Sequence, residues 1–250
     1  MEGYRTSLIY AGISMKEKLK TLFKSLAEKL QKFLAELRAV AKLQPTIFIT
    51  MLFNIGYGLT TAIISLARLS FFIGITGSYS LILGIAKFYA LKKYKRARSL
   101  ENESEAKKLE MQSAKNITVC AAAISFLHFS FAIVSTFFHD ESPSVYTLWF
   151  IYYVAGSAFI KILLAAVNAI KTRKSRSAVI RHLKLTDVAN AFIALALTQR
   201  AILYFVGEES AKIASGIGGL FFSLCAGLVC LYMFKVTYTA TLGAKNSAKD

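Results

Sequence analysis

Apolar and polar positions fall into long blocks along this chain, and six apolar blocks dominate the pattern. They cover about 46–67, 69–91, 116–138, 146–170, 186–206 and 213–234. Each holds about 20 residues or slightly more, enough to cross a hydrocarbon core of about 30 Å at 1.5 Å per helical residue. The first two blocks are joined by a very short turn at Arg68. The connection at 92–115 is charged throughout and must stay in water. A small acidic loop, His139 to Pro143, precedes the fourth block, a basic run KTRKSRSAVIRHLK follows it, and Glu208-Glu209 follows the fifth. The expected fold class is all-α, a polytopic membrane bundle of six transmembrane helices in three hairpins.

Residues 14–43 have a different pattern. Ser14 with Glu17 fits a capping box. Leu19, Leu22, Phe23, Leu26, Leu30, Phe33, Leu34, Leu37 and Ala41 recur at steps of three and four, while lysines fill the opposite face. Such an amphipathic helix lies in the membrane interface, apolar side down, although a coiled-coil partner or a helix-binding receptor would select the same pattern. Pro45 marks the break into the first span. The expected domains are 1–44, a cytoplasmic segment with the amphipathic helix; 45–236, the transmembrane domain; and 237–250, a cytoplasmic tail.

Composition reinforces the segregation. Of 250 residues, 55% are hydrophobic and 18% charged, against about a quarter charged in a soluble domain; the mean hydropathy is +0.49. The net charge of +17 raises the question of nucleic acid, since basic chains often bind phosphate backbones. Its distribution answers otherwise. Of the 31 Lys and Arg, 26 fall before the first span, in 92–115, in 171–185 or after 234, which are the segments that the Lys/Arg rule assigns to one side. Both termini are therefore expected in the cytoplasm of a plasma-membrane protein whose partner is the bilayer, with anionic lipid at the cytoplasmic face, and no nucleic acid is expected. Cys120, Cys225 and Cys230 lie in apolar stretches without CxxC spacing, so they read as packing thiols. No cofactor or metal is expected, and the apolar run Leu8 to Ile13 is too short for a cleavable signal peptide. Oligomeric state is not legible.

Small-residue runs recur in the even spans, as Thr76-Gly77-Ser78, Ala155-Gly156-Ser157 and Gly218-Gly219-Leu220. Small residues let helix backbones approach closely in lipid, so a weak threefold repeat of hairpins is one reading and chance another. The runs FNIGYGLTTAIISLARLSFFIGITGSYSLILGIAKFYAL, ALTQRAILYFVGEES and LVCLYMFK resemble a family of uncharacterised six-helix, multi-pass membrane proteins of Gram-positive anaerobic bacteria, over most of the chain from about Asn54 onward. The family's motif Leu-Gln-Thr-Ala differs here, where the chain reads Leu197-Thr198-Gln199-Arg200-Ala201. The resemblance implies the topology and carries no activity with it.

Ionisable groups inside a span cost at least about 2.5–3.5 kcal/mol at the bilayer centre, so they are the first candidates for function. Lys87 lies close enough to Lys92 to snorkel to the cytoplasmic surface. Arg200 is expected to reach outward to Glu208 and Glu209. Lys161 is about 15 Å from its helix end and is expected to hydrogen-bond to Asn54 on the first span. His128 sits mid-span and is expected to bond a hydroxyl such as Ser125 or Ser130. His128, Lys161, Asn54 and Gln199 together could line a polar cavity near the midplane, between the first, third, fourth and fifth spans. The bland alternative for each is a structural polar contact. Asp187, placed at the cytoplasmic start of the fifth span, is the one carboxylate in any span. A carboxylate-based pump is therefore disfavoured, and an anionic or neutral solute fits better. HExxH, GxSxG and Walker motifs do not occur, so no enzyme is expected. Two classes stay open: a small-solute or anion permease, and a non-transporting scaffold or regulator acting through its basic cytoplasmic face.

Overall fold

A computed structural model describes residues 34–137, 147–172, 177–206 and 209–246, with isolated positions between 20 and 31. The chain forms two compact units that divide between Gln44 and Pro45. In the first unit residues 34–43 are helical, with Arg38 and Lys42 exposed and the Gln44 N–H donating to the Val40 carbonyl. Ser14, Glu17 and most of the expected amphipathic stripe lie outside the described residues.

The second unit contains six helices: α1 (Pro45–Arg68), α2 (Phe71–Arg98), α3 (Glu103–Phe137), α4 (Leu148–Thr172), α5 (Ala178–Val206) and α6 (Glu209–Asn246). No strand occurs among the described residues. All six helices contain a stretch long and apolar enough to cross a membrane. The chain is a multi-pass membrane protein with an all-α, six-helix bundle.

Several of the expected boundaries change, and α6 continues to Asn246, past the expected end at 234 and into the expected tail. The charged segment 92–115 is almost wholly helical, because α2 runs on to Arg98 and α3 begins at Glu103. Its charges match helix ends. Lys95, Arg96 and Arg98 occupy the last turn of α2, and Glu103 and Glu105 the first turn of α3, the signs that the helix dipole favours. The Asn102 side chain caps α3 by accepting from the Ser104 and Glu105 N–H groups at 3.0 and 3.4 Å. Likewise α5 starts at Ala178, well before the expected position. Between α1 and α2 the reversal is tight: Leu69 adopts φ 52°, and Ser70 caps α2 by accepting from Ile73 N–H.

α5 is the hub. It touches every other helix of the bundle, and none of its described side chains from Ala178 to Ala201 is exposed. It is built for that position, with small residues such as Ala189, Ala194 and Ala196 fully buried. α4 faces two environments: Trp149, Phe159 and Leu163 stand outward, while Lys161 and Asn168 are buried. Exposed apolar and buried polar residues invert the usual soluble pattern, as a lipid solvent requires.

Glycine packing distinguishes the hairpins. A Cβ on Gly58 would lie 2.7 Å from Leu81 N and 2.8 Å from the Gly77 carbonyl oxygen, and one on Gly84 would lie 3.1 Å from Ile55 N. The backbones of α1 and α2 therefore touch. Gly156 has open space around it, and Gly218 lies against the Gln199 side chain. The three small-residue runs do not share a packing role.

Candidate functional site

Four helices place polar side chains on their shared inner faces, at spacings that keep them in register. Thr50 and Asn54 are four residues apart on α1, Ser80 and Lys87 seven apart on α2, Lys161 and Asn168 seven apart on α4, and Asp187 and Asn190 three apart on α5. Steps of three, four and seven return to the same helix face. All eight residues are at most 4% exposed. They form two layers.

The layer nearer the basic connections centres on Asp187. Lys87 forms an ion pair with it. Asn168 donates to its other oxygen at 3.0 Å, and the Thr50 hydroxyl lies 3.3 Å from that same oxygen. Lys87 also donates to Thr50 at 3.3 Å. One carboxylate thus gathers α1, α2 and α4 onto α5. A buried charge is tolerated only when paired and hydrogen-bonded in this way.

In the deeper layer, Lys161 Nζ donates to Ser80 Oγ at 3.0 Å and to Asn190 Oδ1 at 3.4 Å. Ser80 donates to the same Asn190 oxygen at 3.1 Å, and Asn190 Nδ2 donates to Asn54 Oδ1 at 2.7 Å. The ammonium also stands 3.6 Å from the centre of the Tyr57 ring, a cation–π contact that is stronger away from water. Tyr57 stacks on Tyr153 at 5.6 Å, and this pair spans the short contact between α1 and α4. Beyond Tyr57 an apolar cluster that includes Phe72, Phe150, Val154 and Leu197 fills the bundle.

Several expectations are corrected. Lys87 does not snorkel: it is fully buried against Asp187. Asp187 is not at the start of its helix but two and a half turns inside it. Lys161 and Asn54 do converge, though through Asn190 rather than by a direct bond. The polar cluster lies between α1, α2, α4 and α5, with α2 in place of α3.

His128 belongs to a separate site. Its Nδ1 lies 2.9 Å from Ser223 Oγ and its Nε2 lies 3.4 Å from Thr76 Oγ1. Ser223 in turn donates to the Gly219 carbonyl at 2.7 Å and Thr76 to the Phe72 carbonyl at 2.9 Å. Both partners are hydroxyls, but neither is Ser125 or Ser130; Ser125 faces Tyr79 and Cys230. Arg200 does not extend outward. It is 2% exposed, lies over Phe72 at 4.4 Å and Tyr204 at 4.9 Å, and donates to the Tyr204 hydroxyl. Glu208 and the Glu209 side chain lie outside the described residues. Gln199 also stands apart. It lines an apolar groove of about 820 Å³ between α5 and α6 and donates to the Ala214 carbonyl at 3.3 Å. The residues missed in the sequence were Asn190, Ser80, Asn168 and Thr50. Their signal was present, as polar positions repeating on one face of an apolar span.

No family model, curated protein or solved structure matches this chain.

Proposed function

We propose that the chain is a small-solute permease, with its binding site at the Lys161–Asn190–Asn54 cluster between α1, α2, α4 and α5. The observation that carries this reading is a lysine 4% exposed deep in an apolar bundle, met by two oxygens and an aromatic face and, among the described residues, by no direct carboxylate contact. A side chain that only had to pack would be cheaper as leucine, and ionisable groups at such depth serve solute or ion pathways by default. The cluster is bounded on one side by the Lys87–Asp187 pair and on the other by the Phe72 cluster. In this reading the ion pair serves as a polar gate and the apolar cluster as a second one. The α1–α2 hairpin, rigid through its glycine contacts, would move as a body against α4–α5. In this reading the basic end faces the cytoplasm and anionic lipid.

Purified protein in liposomes tests the proposal. Stopped-flow light scattering in isosmotic potassium chloride, nitrate and phosphate with valinomycin, and in glycerol and urea, reports solute entry. At least one solute is expected to swell proteoliposomes faster than empty vesicles, and Lys161→Met to slow it by about tenfold or more, as for loss of one charge-assisted contact. Rates equal to empty vesicles for a wide solute panel, or unaffected by Lys161→Met, would favour the scaffold class instead.

A further inference from the structure

The hydrogen-bond polarity of the cluster is dictated from one end. An ammonium can only donate. Lys161 therefore makes Asn190 Oδ1 and Ser80 Oγ acceptors, and the Ser80 proton goes to the same Asn190 oxygen. Asn190 must then present its NH₂ to Asn54, which accepts with Oδ1. This settles the orientation of the Asn54 amide, which the network alone decides. Its Nδ2 is left as a buried donor with no partner among the described residues, on a side chain 2% exposed. An orphaned donor at such depth is costly to keep, which makes it a place for a ligand acceptor.

The charges point the same way. The described side chains of the cluster include two lysines, Lys87 and Lys161, and one carboxylate, Asp187, so with both lysines protonated the cluster carries one positive charge in excess. Bringing in one negative charge neutralises it. A neutral solute leaves the excess, and a divalent anion overshoots.

We infer that the solute is a small monovalent oxyanion, a carboxylate or nitrate, held between the Lys161 ammonium and the Asn54 amide. This rests on the permease reading and narrows it. Two donors suit an acceptor with two oxygens, and Asp187, already seated between Lys87, Asn168 and Thr50, shows how the bundle accommodates a carboxylate.

The test is thermal unfolding of the full-length protein in detergent, with sodium formate, acetate and nitrate, with sodium sulfate at matched ionic strength, and with neutral acetamide. The three monovalent oxyanions are expected to raise the unfolding temperature saturably, and sulfate and acetamide to leave it unchanged. Lys161→Met removes the response. Asn54→Asp places a carboxylate beside Lys161: it raises the unfolding temperature without ligand and abolishes the anion response, while Asn54→Leu weakens apparent affinity by about tenfold. Equal shifts by acetamide and acetate, a larger shift by sulfate, or a full anion response in Asn54→Asp would overturn the assignment. Flux of neutral solutes without any anion response sinks the oxyanion and leaves the permease. A saturable anion response with no flux sinks the permease and leaves the binding site.

Discussion

Asp187 shows how far a single side chain can reorganise the interior. Read by position, it belonged to a helix end in contact with water; in the fold it accepts from Lys87 and Asn168, with the Thr50 hydroxyl beside it. Removing one member of a buried ion pair costs about 3–5 kcal/mol, because the other charge is left without compensation. The two single variants differ here. Lys87→Leu leaves Asp187 with Lys161 as the nearby cation, whereas Asp187→Leu leaves two ammonium groups and no carboxylate. Asp187→Leu is therefore expected to lower the unfolding temperature in detergent more than Lys87→Leu, and the double variant to recover much of the loss. A double variant no more stable than Asp187→Leu would show that the pair is not coupled. The depth of Lys161 and His128 was legible in the sequence, since mid-span charges are counted along a helix. Their partners were not. A side chain's neighbours across the bundle depend on helix rotation, and His128 faces Ser223 on α6 rather than a hydroxyl nearby in its own helix.

At the scale of elements, the spans were placed by apolar length while their ends were not. The segment 92–115 is charged throughout, the mark of a loop, yet its charges are ordered by sign, basic at the end of α2 and acidic at the start of α3. That order, with Asn102 as a cap, is a helix signal. Glycines separate the hairpins just as sharply. Gly58→Ala places a methyl within 2.8 Å of the Gly77 carbonyl oxygen, so it is expected to push α1 from α2 at a cost of about 1–3 kcal/mol. Gly156→Ala meets nothing within 4 Å and gains helix propensity, so it is expected to be neutral or stabilising by up to about 1 kcal/mol. Unfolding in SDS of the two variants measures the contrast. Equal losses would mean that the hairpins pack alike after all.

For the whole molecule, the outward face is apolar and the charged residues gather at the end that bears the α2–α3 and α4–α5 connections. The Lys/Arg rule assigns that end to the cytoplasm. A cysteine introduced as Ser104→Cys, at an exposed position on the α3 extension, is expected to react with a membrane-impermeant maleimide only after cells are opened. Cys120 and Cys225 are half-buried and Cys230 buried, all within apolar spans, so a cysteine-free background is accessible through small replacements. Labelling in intact cells would invert the topology, and with it the side of the membrane nearer to the Lys87–Asp187 pair.

The number of spans, their order and the segregation of charge were written in the sequence, because transfer of apolar side chains out of water depends on local composition and on length alone. The tertiary structure decided what the polar minority does. Which face of each helix meets which neighbour is a property of packing around α5. That packing brought Asn190, Ser80 and Lys161 together, joined Lys87 to Asp187 across a hundred residues, and sent His128 and Gln199 elsewhere. A buried polar group has to find a partner wherever rotation and depth supply one, and neither can be read along a single strand of sequence.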